Sequence, residues 1–378
     1  MTSYMISTRD MSDCILEPFE LTLEQYETIY NYQTLFNEYV FSNSNREFLE
    51  SVLFKRLRGN DEMCFQLYEL IGLDKSKIFC GIFRNDYFLT KDGWKMVEYN
   101  TISSSLAALA CETHGYSNDA INGIVESLLL SKELFDDYYE VKSSILVVIT
   151  ERDRTKGNRD QEITVSKLKE KGVNIILMSF ETLNGIRVLN DFLYVNYDLI
   201  GVVYYRSGYE LHSERGLEIR RTIERSLAVK CPNVEAQLFG TKLVQSSLTE
   251  IQSISETIRQ FKRLNVKMIY PPELEIKDET AWLLKCNKEG GGHNVHTNLN
   301  EFLRREKERS NWIQVERINP VIRNGSISEI GIYGGIVAFN GKIISNRALG
   351  YLVRTKDQNE KEGGVFAGFS RINSLIIK

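Results

Sequence analysis

Two short segments carry residues whose types and spacing suit charge-neutralising chemistry on an anion. The first is Lys285-Cys286-Asn287-Lys288-Glu289-Gly290-Gly291-Gly292-His293-Asn294. Three consecutive glycines cost backbone entropy and bury no side chain, so packing does not account for them. They let bare backbone N–H groups approach an anion, as phosphate-binding loops do. Lys285 stands four residues before Glu289 and can meet phosphate oxygens, while the Glu289 carboxylate is of the type that holds Mg2+. Taken alone, the same run also fits a surface turn. The second segment is Lys95-Met96-Val97-Glu98-Tyr99-Asn100-Thr101-Ile102-Ser103-Ser104-Ser105. On a strand alternate side chains share a face, so Glu98 and Asn100 point the same way. A carboxylate and an amide oxygen side by side are hard ligands suited to Mg2+. The serines add hydroxyls and N–H groups where the strand ends. In isolation, Glu-x-Asn describes many exposed strand faces.

The elements that must position these segments are read from periodicity. Apolar residues at three- and four-residue spacing predict helices over 48–57 and 63–73, and again over 106–134 after the serine turn. Strand 144–150, helix 161–171 with Gly172 as its stop, strand 173–180 and strand 199–205 predict a parallel βαβ lobe. Ligands of such sheets bind beyond the carboxyl ends of the strands, where 151–161 and 206–209 lie. Helix 213–229 is read with its charges on a solvated face. The run 281–284 reads as the end of a strand. Segments 330–339 and 342–353 alternate about Asn340-Gly341, a hairpin signal. Arg354 and Lys356 share a face at the end of that hairpin, and the charged, glycine-bearing loop 357–368 that follows is a candidate lid.

Composition narrows the classes. The chain has 378 residues, 42% of them hydrophobic, enough for a large core in two or three lobes. A formal net charge of −4 argues against a nucleic-acid surface, and its dispersed basic residues against a membrane surface. No apolar stretch approaches the roughly 20 residues that span a bilayer, and residues 1–13 lack the apolar centre of a signal peptide. Six cysteines without a C-x-x-C pair suit unpaired thiols in a reducing, cytoplasmic setting and give no zinc signal. The loop histidines His293 and His296 are read as polar loop groups rather than as a metal pair.

Further motifs lie between and beyond the two segments. They are Phe83-Arg84-Asn85-Asp86-Tyr87, Val203-Tyr204-Tyr205-Arg206-Ser207-Gly208-Tyr209, Lys230-Cys231-Pro232-Asn233 and Gln237-Leu238-Phe239-Gly240-Thr241-Lys242. Then come Glu316-Arg317-Ile318, Ser328-Glu329-Ile330-Gly331, Leu352-Val353-Arg354-Thr355-Lys356 and Gly363-Gly364-Val365. In this order they resemble the eukaryotic-type glutathione synthetases of the ATP-grasp superfamily, over about three quarters of the chain. The resemblance implies an α/β chain with α+β elements: an ATP-grasp fold with an inserted parallel α/β substrate-binding domain and a C-terminal antiparallel lid region. The expected domains are 1–142 (helical part and first half of the core), 143–242 (substrate binding) and 243–378 (nucleotide binding and lid).

The implied activity is a ligase that uses ATP and Mg2+ to join γ-glutamylcysteine to glycine, or another small amine, through an acyl phosphate, giving glutathione. By resemblance Glu98, Asn100 and Glu289 are the Mg2+ ligands. Lys242, Lys285, Lys356, the loop Gly290, Gly291, Gly292, Asn294 and His296, the wall Val315, Glu316, Arg317 and Ile318, and Glu329 hold the nucleotide. Arg84, Ser103, Ser104, Ser105, Asp153, Arg154, Gln161, Arg206 and Tyr209 form the γ-glutamylcysteine pocket. Arg354, with Val365 and Phe366, holds the carboxylate of the glycine, a task that suits a planar guanidinium. Arg84 and Arg354 are the expected catalytic cations, and a homodimer is the family's habit. The chain departs from the family where Phe366 replaces a usual alanine, Ser207 a usual acid, and Lys288 a usual arginine. Such divergence also resembles glutathione-synthetase-like effectors secreted by plant parasites. These make a secreted protein with weak or no ligase activity, its signal peptide removed, the alternative.

Overall fold

Strand Ile78–Thr90 sets the architecture, because its alternate residues meet two different surroundings. Cys80 and Ile82 join Ile121, Ile124 and Leu128 of helix Ala120–Tyr139 in one apolar cluster. Phe83 and Tyr87 belong to another, under helix Leu23–Asn43, where Phe36 lies 6.2 Å from Phe83 edge-on and 4.9 Å from Tyr99. A capping box between Thr22 and Gln25 starts that helix. Phe36 is fully buried among these rings, so truncation to alanine would cost about 3–5 kcal/mol. The computed structural model describes residues 17–57, 62–114, 118–180, 182–208, 213–248, 256–270, 272–273, 275–286, 295–296, 299–300, 312–360, 365 and 368–378.

The sheet around Ile78–Thr90 is antiparallel and runs in the order Gly93–Asn100, Ile78–Thr90, Ser326–Phe339, Lys342–Asp357, Arg371–Ile372, with Ile322–Arg323 beside Ser326–Phe339. The expected hairpin is present and longer than its sequence pattern. Asn340 and Gly341 both take positive φ, 48° and 77°, as a two-residue turn between right-twisted strands requires. Its first strand pairs with Ile78–Thr90 from Phe339 opposite Ile78 to Glu329 opposite Phe88. The early and late parts of the chain therefore build one sheet.

A second sheet is mainly parallel: Ile175–Ser179, Ser144–Ile149 and Asp198–Tyr205, with Val229–Cys231 also parallel to Asp198–Tyr205. The expected helix 161–171 is Arg159–Glu170, and Gly172 follows it at φ 78°. The structure adds to the sequence pattern here in three places. The run 151–161 beyond the strand end begins with the short helix Glu151–Lys156, whose hydroxyl cap is Thr150. The hairpin Ile186–Leu189 and Phe192–Val195 gave no period long enough to see. The helix expected over 213–229 is Glu214–Glu224, and Val229 opens a strand. Leu227, Ala228 and Val229 suit the interior of a sheet as well as a helix face, and apolar periodicity does not separate the two. The helix expected over 63–73 is shorter, Glu62–Tyr68, and the one expected over 106–134 divides into Ala107–His114 and Ala120–Tyr139.

The charges of helix Glu214–Glu224 are not all solvated. Arg220 is fully buried, with its guanidinium carbon 3.9 Å from the centroid of the Tyr205 ring and its Nε donating to Glu224 at 2.7 Å. Lys230 reaches Asp74 at 2.7 Å nearby, and Glu235 accepts from the Gly72 backbone. Burial pushes the Glu224 carboxyl up to about 7, against the pull of Arg220 and Lys230 and with Asp74 and Glu235 adding to it.

A third, antiparallel sheet runs Met268–Ile269, Trp312–Glu316, Trp282–Cys286, Val295–His296, and strand Phe19–Leu21 pairs in parallel with Leu375–Ile377. Cys64, Cys80 and Cys231 are buried free thiols, and Cys111 and Cys286 are half-buried ones. No described helix is long and apolar enough to cross a membrane.

Candidate functional site

On the face of Ile78–Thr90 that carries Cys80 and Ile82, the apolar residues give way to charge at Arg84 and Asp86. Arg84 lies opposite Asn100, and Asp86 opposite both Glu98 and, on the other side, Gly331. Asp86 is fully buried. Its carboxylate accepts from Arg84 Nε at 2.7 Å and Nη2 at 2.9 Å, from Asn100 Nδ2 at 3.3 Å, and from Arg354 Nη2 at 3.1 Å. Glycine is required at 331 for this, because a Cβ there would come within 2.5 Å of Asp86 Oδ1. Arg354 also pairs with Glu329, its neighbour across the hairpin.

Cations from two further elements complete the field. Lys242 opens helix Lys242–Leu248, and Lys285 lies on strand Trp282–Cys286 of the third sheet. Burial works against ionisation of Glu98, yet Lys242, Lys285, Arg354 and Arg84 together hold its carboxyl below the usual carboxylate range. Burial lowers Lys285, with Glu98 opposing and Lys242 adding to the effect. Burial likewise lowers Lys356, with Glu329 and Glu360 opposing. The Glu329 carboxyl is raised by burial and by Asp86 and Glu98, against the pull of Arg354. Five cations (Arg84, Lys242, Lys285, Arg354, Lys356) thus act on three carboxylates (Asp86, Glu98, Glu329). A cluster with a buried centre, half-buried flanks and excess positive charge suits a polyanion.

The serine turn adjoins this cluster and joins the two large sheets. Ser103 and Leu106 take φ of 53° and 77°, reversing the chain before helix Ala107–His114. Arg84 Nη1 and the Tyr333 hydroxyl both donate to the Ser105 carbonyl at 2.7 Å. From the parallel sheet, Arg206 Nη1 donates to the Ser104 carbonyl at 2.7 Å and Nη2 to Ser105 Oγ at 2.9 Å. Ser103 Oγ returns a bond to the Arg206 carbonyl at 3.0 Å. Asp160 accepts from the backbone N–H of Leu106 at 2.5 Å and of Ala108 at 2.7 Å, so the parallel lobe caps a helix of the central one. Beside it, Gln161 donates to Asp153 at 2.7 Å. Two guanidinium groups, a run of hydroxyls and a positive-φ turn can hold a carboxylate-bearing peptide next to the polyanion field.

The structure therefore brings together Arg84, Glu98, Asn100, Ser103, Ser104, Ser105, Arg206, Lys242, Lys285, Glu329, Arg354 and Lys356. Val315 is buried in the third sheet opposite Leu283, whereas Glu316 is exposed and its carboxylate accepts from the Lys267 backbone. Arg317 donates its backbone N–H to Ala281, and Ile318 packs half-buried at the edge of the main apolar cluster. Arg154 is exposed and paired with Glu151. Val365 is half-buried against the cluster around helix Ala120–Tyr139, and the His296 backbone pairs with Leu284. Tyr209, Glu289, Gly290, Gly291, Gly292, Asn294 and Phe366 lie outside the described residues. Sequence reasoning missed Asp86 and Asp160. Asp86 stands two residues after Arg84 on a strand, a spacing that puts both on one face. Asp160 offered only its place at a helix start, which says nothing of the second helix that it caps.

The profile of the family described as eukaryotic glutathione synthase, ATP binding domain, matches residues 7–377. The glutathione synthetase of Mus musculus is 28% identical over 92% of this chain and 86% of its own length. The chloroplastic glutathione synthetase of Solanum lycopersicum is 28% identical over 91% and 73%. Among solved structures, a glutathione synthetase like-effector from Globodera pallida superposes with a TM-score of 0.70 at 16% identity, covering 96% of this chain and 89% of that one. At that identity the likeness speaks to the fold alone. With nearly the whole chain matched by its profile, the protein belongs to the eukaryotic glutathione synthase family.

Proposed function

We propose that the chain is an ATP- and Mg2+-dependent carbon–nitrogen ligase of the ATP-grasp type that joins γ-glutamylcysteine to glycine or another small amine. The observation that carries this reading is the adjacency of two differently equipped groups of side chains. Lys242, Lys285 and Lys356 converge on Glu98 and Glu329, and the serine turn beside them is held by Arg84 and Arg206. The third sheet, which brings Lys285, and the central sheet, which brings Glu98 and Lys356, are the two layers that close on the nucleotide in this reading. Residues 143–242 form the peptide-binding lobe.

The residues fit Mg2+. Lys242, Lys285, Arg354 and Arg84 favour the ionised form of half-buried Glu98, and the Asn100 amide gives its N–H to Asp86, which leaves its oxygen for a hard cation. Bound there, Mg2+ supplies charge neutralisation on the phosphates. The lysines share that task, since phosphoryl transfer asks the protein for positioning and positive charge more than for covalent chemistry. Arg84, Arg206 and the serines hold γ-glutamylcysteine with its cysteinyl carboxylate toward the phosphates. Arg354 holds the carboxylate of the amine acceptor. The test is phosphate release from ATP with γ-glutamylcysteine across a panel of amines, with products identified by mass. Release that needs both γ-glutamylcysteine and an amine, with a peptide product, is expected. Ser207 and Phe366 favour changed acceptor use, and the divergence to which they belong also fits a second reading, a synthetase-like binding protein. Nucleotide binding without phosphate release would decide for it.

A further inference from the structure

We propose that Asp86 is a positioning residue that sets the direction of the Asn100 amide, and with it the metal-binding competence of the site. The proposal rests on the ligase reading above, in which Glu98 and Asn100 face Mg2+.

An amide has one accepting and one donating end, and a hard cation takes only the former. Nothing in the covalent structure of Asn100 chooses between the two. The choice is made by Asp86. Fully buried between the Arg84 and Arg354 guanidinium groups, its carboxylate accepts the Asn100 N–H at 3.3 Å and turns the amide oxygen away from itself. The carboxylate is itself fixed, since the Arg84 fork holds both of its oxygens, at 2.7 and 2.9 Å. Arg354 adds a third cationic bond at 3.1 Å, and Gly331 leaves the space in which the bracket forms. One side chain thereby orients a metal-facing amide and two guanidinium groups that the ligase reading assigns to the two substrates. Partners behind metal ligands of this kind are worth about tenfold to a hundredfold in metal affinity when lost.

Asp86→Asn keeps the shape and replaces one accepting oxygen with an NH2. With Arg84 Nε taking the remaining oxygen, the new NH2 faces Asn100 together with the Nη2 atoms of Arg84 and Arg354, and the favourable response of Asn100 is to flip and present its own NH2 to the cation. The compensating change is Asn100→Asp. In the double variant the carboxylate at 100 accepts from the amide at 86 with one oxygen and offers the other to the metal, and formal charge is conserved.

Binding of ADP is measured by calorimetry with and without Mg2+, alongside the melting temperature. In the wild-type protein Mg2+ is expected to strengthen ADP binding. Asp86→Asn takes one negative charge out of the cluster, so metal-free ADP binding is expected to hold or tighten, while the gain on adding Mg2+ is expected to fall about tenfold or more. The double variant is expected to regain most of it. A merely structural role would lower the melting temperature and leave the Mg2+ gain intact. An undiminished gain in Asp86→Asn, or a folded double variant without any gain, overturns the proposal. If Asp86→Asn does not fold, the charge-conserving double variant decides by itself. A wild-type protein with no Mg2+ gain defeats the ligase reading, and this proposal with it.

Discussion

The buried pair in helix Glu214–Glu224 makes stability depend on pH through one residue. Glu224 is fully enclosed, pairs with Arg220 Nε at 2.7 Å and leaves its second oxygen without a protein partner. Lys230, Asp74, Glu235 and Tyr205 face it from the neighbouring elements. Its carboxyl is raised from an ordinary 4.5 to about 7, first by burial. A raised carboxyl contributes stability that is fully present below the unfolded value and is lost as pH rises through the folded one. Each tenfold change in proton affinity is 1.36 kcal/mol, so the loss totals about 3 kcal/mol, of which about 2.5 kcal/mol falls between pH 5 and pH 8. For a chain of this length unfolding as one unit, that corresponds to roughly 3 °C in melting temperature. Glu224→Gln keeps the acceptor for Arg220 and removes the titration. Melting curves of both proteins at half-unit steps of pH should converge near pH 4.5 and separate upward, the variant being the more stable at pH 8. Parallel curves would show that folding leaves the proton affinity of Glu224 unchanged, and would refute the reasoning.

Three further outcomes follow from the site. Glu98→Ala should lower ATP-dependent ligation by at least tenfold to a hundredfold while far-ultraviolet circular dichroism stays unchanged; retained Mg2+-dependent turnover would remove Glu98 from the metal site. Burial lowers Lys285, so its ammonium is lost at a pH below that of a free lysine, and nucleotide affinity should fall early on the alkaline side. Lys285→Arg should push that limb upward, which a pH series of ADP affinities would read. Asp160→Asn removes one of two acceptors that cap helix Ala107–His114, costing about 1 kcal/mol or somewhat more. Because the same turn is held by Arg206, its KM for γ-glutamylcysteine should rise more than its kcat falls.

Much of the site was legible because strand alternation is a rigid rule. Glu98 with Asn100, and Arg354 with Lys356, share a face wherever their strands lie. Local pattern could not say which strands are neighbours. The pairing of Glu329 with Phe88 joins segments some 240 residues apart, and it alone brings Arg354 to Asp86. The solvated face read for the helix over 213–229 failed for a related reason. Arg220 and Glu224 look solvated on a helical wheel, and only the packing of Tyr205 and Lys230 around them makes a buried ion pair. Asp160 shows the same limit, since a capping carboxylate is recognisable only when the capped helix is its own.

The central claim is that phosphate from ATP is placed on the cysteinyl carboxylate of γ-glutamylcysteine beside Arg84, Arg206 and the serine turn. The direct measurement uses γ-glutamylcysteine with 18O in that carboxylate, together with ATP, Mg2+ and the amine acceptor, and reads the mass of the phosphate released. Formation of an acyl phosphate followed by attack of the amine leaves one labelled oxygen in phosphate and one in the peptide product. Phosphate that carries no label, with γ-glutamylcysteine recovered unchanged, would contradict the account.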